Sequence, residues 1–78
     1  MAVKLSRANR KLHDFLEGRG PTHVFHIYRA IRGTNPPPTE RLCQQHLGNP
    51  ISRYNRRSES HRIVPANEPY TYVLTPKD

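Results

Sequence analysis

The chain has 78 residues, a net charge of +7 and an apolar fraction of 33%, with four Tyr, two Phe and no Trp. A chain this short buries only about 60% of its unfolded surface, which excludes two independent cores and allows one small one. Thirteen Lys and Arg, ten of them Arg, oppose six Asp and Glu; the resulting pI near 10.3 points to an anionic partner, with nucleic acid ahead of an acidic protein or an anionic membrane surface. Arginine suits that role because its planar fork matches phosphate and guanine edges. The lone Cys43 cannot form an internal disulfide, and the opening Met-Ala-Val-Lys is not a basic region followed by an apolar run. No stretch approaches the roughly 20 apolar residues of a membrane span. The expected setting is therefore reduced and cytoplasmic, with no membrane partner.

Residues 5–17 place Leu5, Ala8, Leu12, Phe15 and Leu16 at steps of three and four, one face of a helix. That helix closes at Gly18-Arg19-Gly20-Pro21, where glycine permits a left-handed cap and proline forbids continuation. It covers the core of the domain or pairs with its copy in a homodimer. Thr22 is then placed to cap a second helix with Val24, Ile27, Tyr28 and Ile31 on one stripe, Phe25 widening it and Gly33 just past its end. Pro36, Pro37 and Pro38 lock an extended connector.

Beyond the connector, Thr39 serves as an N-cap with Glu40 at the positive end of a short helix that buries Leu42, Cys43 and Leu47 and stops at Gly48. Asn49 caps and Pro50 opens another helix, with Ile51, Tyr54 and Ser58 inward. Residues 39–60 thus read as helix, tight turn, helix. After His61 the period changes: Arg62-Ile63-Val64-Pro65 and Tyr70-Thr71-Tyr72-Val73-Leu74 are β-branched and aromatic, separated by turn chemistry at Ala66-Asn67-Glu68-Pro69. They predict a hairpin whose Tyr70, Tyr72 and Leu74 pack on the helices, with Thr71 outward, and a loose end from Thr75 to Asp78.

Chemistry-bearing constellations are few. His23 with His26 and Cys43 with His46 form two pairs at a spacing that could offer zinc one thiolate and three imidazoles, but partly exposed polar helix residues account for them better, and no metal or other cofactor is expected. Cys43 between Leu42 and Leu47 reads as a small buried hydrophobe. His13 reads as solvated surface, and His46 and His61 as phosphate contacts at most. No Ser/His/Asp set, paired carboxylates or glycine-rich phosphate loop appears, so the chain does not read as an enzyme.

Two helices at a sharp turn followed by a hairpin is the order of a winged helix-turn-helix, in which one helix braces against the backbone and the next lies in the major groove. Residues 24–74, with Ser52-Arg53-Tyr54-Asn55-Arg56-Arg57, then His61-Arg62-Ile63-Val64 and Tyr70-Thr71-Tyr72-Val73-Leu74, resemble the small winged helix-turn-helix domains often encoded by bacteriophages and prophages. The resemblance implies an α+β fold of three to four short helices and a two-stranded wing: an N-terminal helix over 1–20, the winged domain over 21–74 and the loose end. It also implies duplex DNA binding in the host cytoplasm, as a transcriptional regulator or excisionase-like accessory protein. The expected contacts are Ser52, Arg53, Asn55, Arg56 and Arg57 on the recognition helix, with Arg62 and Asn67 on the wing. Two alternatives stand beside it. One is single-stranded or RNA binding on the tyrosines. The other is a phage-type inhibitor or adaptor that grips an acidic face of a host enzyme such as RNA polymerase; Asn55 and the proline-rich lead depart from the DNA-reading pattern and favour it.

Overall fold

In the computed structural model, which describes residues 6–77, the first helix (α1, Arg7–Leu16) begins where the sequence supplies a cap: Ser6 Oγ accepts from the Asn9 N–H at 3.2 Å. Its buried face is Asn9, Leu12, His13 and Leu16, with Phe15 packed at the margin. Two expectations change. Ala8 is exposed rather than part of the stripe, and His13 is buried rather than solvated. Leu5 lies outside the described residues. The helix ends at Leu16 with an extended C-cap, Glu17, rather than a left-handed glycine; Gly18 at φ 72° and Gly20 at φ 79° shape the turn that follows.

Thr22 does not cap a helix. With His23 it forms a two-residue strand (β1, Thr22–His23), and His23 itself is the N-cap of the second helix (α2, Val24–Arg32), its Nδ1 accepting from the Phe25 N–H at 3.1 Å. Pro21 holds the chain extended as it leaves the glycine turn, and a strand from the far end of the sequence is there to pair with it. Val24 and Ile27 are buried on α2, which ends at left-handed Gly33, φ 71°.

Thr39 caps the third helix as expected, its Oγ1 accepting from the Leu42 N–H at 3.2 Å. The helix does not stop at Gly48. It runs unbroken through Gly48, Asn49 and Pro50 as α3, Glu40–Arg57, so the two short helices expected over 39–60 are one. Cys43, Leu47, Ile51 and Tyr54 lie buried along it at steps of four, four and three. Breaking the helix would take half of that stripe off the core. Leu42, expected inside, is instead 42% exposed, because it lies on the opposite side from Cys43 and Leu47.

Two further strands, β2 (His61–Pro65) and β3 (Thr71–Pro76), form the expected hairpin, with Ile63 opposite Leu74 and Val64 opposite Val73. The sheet has three strands rather than two: β1 adds to the far side of β3, giving the antiparallel order β1-β3-β2. Tyr70 enters β3 in a left-handed conformation at φ 55°. Thr71, expected outward, is buried, and its hydroxyl donates to the Pro69 carbonyl at 3.1 Å. The C-terminal stretch is not loose through Lys77: Thr75 and Pro76 belong to β3, and the Lys77 ammonium donates to the Ser58 and Asn55 carbonyls at the C-terminal end of α3, where the helix dipole favours a cation.

The core lies between the three helices and the inner face of the sheet, with Leu12, Leu16, Val24, Ile27, Leu47, Tyr54 and Ile63 at its centre. One polar chain crosses it. His13 Nε2 donates to Glu17 at 2.8 Å, its Nδ1 accepts from the Tyr54 hydroxyl at 2.6 Å, and His61 packs edge-on at 5.0 Å. This pairing is why His13 can be buried. Among the described residues, no helix is long and apolar enough to cross a membrane.

Candidate nucleic-acid interface

Continuity of α3 defines the exposed surface. Opposite the buried stripe, Arg41, Gln45, Asn49, Ser52 and Arg56 follow one another at steps of four, four, three and four, and all five are exposed. An 18-residue helix is roughly 27 Å long, so these side chains form a strip along most of the molecule's longest rod. The strip contains no carboxylate. Glu40, at its start, is turned aside and held by His23 Nε2, which donates to Glu40 Oε2.

The seven residues expected to contact DNA fall into different places. Ser52 and Arg56 stand on the outward strip. Arg53 and Arg57 lie on the flank of α3 that faces α1 and α2, where with Arg32, Arg56, Ser6, Ala8, Asn9, Ile31 and Pro50 they line an open groove of about 750 Å³. Asn55 is half-buried, with its amide tied to β2: its Nδ2 donates to the Ile63 carbonyl at 3.0 Å and its Oδ1 accepts from the Ile63 N–H at 2.7 Å. That amide continues the backbone ladder of β2 and ties α3 to the sheet. Arg62 is exposed on the face of β2 away from Ile63, and Asn67 is exposed in the β2–β3 turn beside Glu68. The turn therefore presents a carboxylate as well as an amide.

Among the described residues the close histidine–carboxylate pairs are His13 with Glu17 and His23 with Glu40, and no arginine nitrogen lies within 4.0 Å of a carboxylate. Arg19 stacks over Phe15 at 4.1 Å, and Arg32 lies 6.0 Å from the Tyr28 ring centre. Burial pushes the Cys43 thiol up, away from the thiolate a nucleophile needs, and its Sγ donates to the Val24 carbonyl at 3.4 Å. The Tyr54 hydroxyl is raised too, chiefly by burial. His23 is spent on its cap and on Glu40, and among the described residues no group of three or more His, Cys, Asp or Glu could hold a metal.

No family model matches this chain, and neither a curated protein nor a solved structure does.

Arg41, Gln45 and Arg32 are the residues that reading the sequence missed. The signal for the first two was present as the spacing 41, 45, 49, 52, 56, but glycine and proline at 48 and 50 hid it by suggesting a turn. Arg32 joins the groove only because the end of α2 comes to lie beside Pro50 and Arg53 of α3, a non-local fact.

Proposed function

We propose that this protein binds duplex DNA as a small winged helix-turn-helix module, with α3 as the recognition helix and the β2–β3 hairpin as the wing. The order of elements supports this: α2, the proline-rich connector over 33–39, α3 and then the hairpin follow one another as in that motif. The helix-turn-helix is then α2 and α3, not the two halves of α3. The observation that carries the reading is the outward strip of Arg41, Gln45, Asn49, Ser52 and Arg56, exposed and free of carboxylates. Arginine pairs two donors with guanine O6 and N7, and Gln or Asn pairs with adenine N6 and N7. Residues near the start of a recognition helix reach base edges most readily, which makes Arg41 and Gln45 the base readers and leaves Ser52 and Arg56 for phosphates. Arg62 on β2 contacts the backbone.

The role that fits is a small regulator or accessory DNA-binding factor of the phage type. The test is fluorescence anisotropy with 20-base-pair duplexes, first random and then a selected site, at low and moderate salt. Binding weakens with salt by a log-log slope of about −0.9 per phosphate contacted. Arg41→Ala lowers affinity for the selected site by about 1–3 kcal/mol with little change on random DNA, while Arg56→Ala weakens both alike. Absence of binding even at low salt ends the DNA reading and transfers the basic surface to an acidic face of a protein partner.

A further inference from the structure

The groove between α1, the end of α2 and the second half of α3 borders the outward strip at Arg56 and otherwise lies on a different flank of α3. Four guanidinium groups, Arg32, Arg53, Arg56 and Arg57, surround it, and among the described residues no carboxylate lines it. Like charges gathered without a counter-ion repel one another, an arrangement that an anion relieves. None of the four is hydrogen-bonded or ion-paired to a carboxylate among the described residues.

Asn9 provides the second observation. It is only 7% exposed, it lines the groove, and while its backbone N–H donates to Ser6 Oγ, its side-chain amide has no hydrogen-bond partner among the described residues. Because no fully enclosed side-chain nitrogen or oxygen among these residues lacks a partner, the amide keeps an opening to solvent, and the groove is the opening it lines. An amide whose only opening is a groove is placed to hydrogen-bond a polar group that enters it. Asn9 is also the third residue of α1, in the first turn, where the helix dipole favours negative charge.

We propose that this groove is a phosphate-binding site, distinct from the outward strip of α3, that takes two or more linked phosphates between Arg32 on one wall and Arg53 and Arg57 on the other, with the Asn9 amide donating from the floor. Arginine pairs with phosphate oxygens in a bidentate fork, and a groove of about 750 Å³ lies within the usual range for small-ligand sites. Ala8, Ile31 and Pro50 give it an apolar side for the uncharged part of the ligand. Linked phosphates come from two sources: consecutive phosphates of a nucleic-acid strand, or the oligophosphate of a small molecule.

One set of measurements separates them. Pyrophosphate is titrated by calorimetry into the full chain, with sulfate as the control for generic anion binding. The same is done for the Arg32→Ala, Arg57→Ala double variant and for Asn9→Asp, which keeps the side-chain shape and suits the first turn of α1 but places a carboxylate in the groove. Circular dichroism confirms that each variant folds. Random duplex DNA is followed by anisotropy as a function of salt in parallel. Saturable pyrophosphate binding, stronger than sulfate and weakened about tenfold or more in both variants, establishes a site for small oligophosphates, and does so even if the protein binds no DNA. No pyrophosphate binding, with a salt slope on DNA shallower by about 0.9 per phosphate lost in both variants, establishes that a nucleic-acid strand supplies the phosphates. Pyrophosphate no tighter than sulfate, together with a DNA salt slope unchanged in both variants or no DNA binding at all, overturns the proposal. An unchanged slope on DNA that is still bound leaves the outward-strip reading standing.

Discussion

Gly18-Arg19-Gly20-Pro21 and Gly48-Asn49-Pro50 both set glycine shortly before proline, yet the chain turns at the first and runs through the second as helix. The local costs are similar, about 1 kcal/mol for each glycine and about 3 for a proline inside a helix. The difference lies in how soon the next apolar residue comes. Between Leu16 and Val24 stand seven residues, 17–23, none of them apolar, so continuing α1 would bury nothing for two turns. Between Leu47 and Ile51 stand only three, and both Ile51 and Tyr54 then resume the stripe of Cys43 and Leu47. Two large side chains at about 1.5–3 kcal/mol each offset one glycine and one proline. A breaker motif stops a helix only when the apolar pattern stops with it.

Leu47 is the last buried residue before the second motif. Leu47→Ala leaves a cavity between the helices and is expected to cost about 2–5 kcal/mol, read as a lower midpoint in urea unfolding. If a turn at Gly48 left Leu47 at a frayed helix end, the cost would instead be below about 1 kcal/mol.

The two prolines sharpen the contrast because they should respond with opposite signs. Pro50→Ala restores an N–H that can donate to the His46 carbonyl and removes a ring clash within α3; against the freedom it returns to the unfolded chain, the net gain is about 2 kcal/mol. Pro21→Ala, in an extended segment outside any helix, costs about 0.5 kcal/mol through the unfolded state alone. Two urea titrations with the same sign of shift would sink the contrast.

The glycines repeat the test at smaller scale. Gly48 has no left-handed φ, and a Cβ built there meets nothing within 4 Å, so Gly48→Ala should stabilise by about 1 kcal/mol. Gly18 is equally unobstructed but sits at φ 72°, and Gly18→Ala should destabilise by about 1–2 kcal/mol from backbone strain alone. Thermal midpoints of the two variants should therefore lie on either side of the parent's.

Sequence reasoning succeeds where the physics is local. The α1 stripe of Leu12 and Leu16, the cap at Thr39, the left-handed stop at Gly33 and the β2–β3 hairpin each rest on residues within a few positions of one another, and each is present. What it misses depends on partners far along the chain. Thr22 and His23 look like a helix start until β3, some 50 residues later, supplies ladder partners. His13 looks like surface until Tyr54 supplies a hydroxyl. Asn55 looks like a base reader until Ile63 takes both ends of its amide. For the candidate interface, the basic character of α3 was legible from its arginines, but not which arginine faces where. That assignment required knowing that one helix spans Gly48, which moved Arg41 and Gln45 into line with Ser52 and Arg56.

Alkaline pH offers a subtler probe, because each half of α3 buries one acid that burial keeps protonated: Cys43 before the glycine and Tyr54 after it. Their ordinary pKa values are 9.0 and 10.0, and folding raises both. The folded chain thus holds these protons more tightly than the unfolded chain, which releases them first as pH rises. By linkage, the stability they contribute is fully present below about pH 9 and is lost as pH climbs through the unfolded values towards the folded ones. Unfolding free energy from urea titrations between pH 7.5 and 11 should fall in two overlapping stages. Cys43→Ala should remove the earlier stage and Tyr54→Phe the later. Tyr54→Phe also removes the hydroxyl that His13 Nδ1 accepts from, so its baseline should start about 1–2 kcal/mol lower at neutral pH while its alkaline slope becomes flatter. If Tyr54 instead stood on a separate, frayed helix beyond a turn, the phenol would titrate at its ordinary value, and Tyr54→Phe would leave the alkaline slope unchanged.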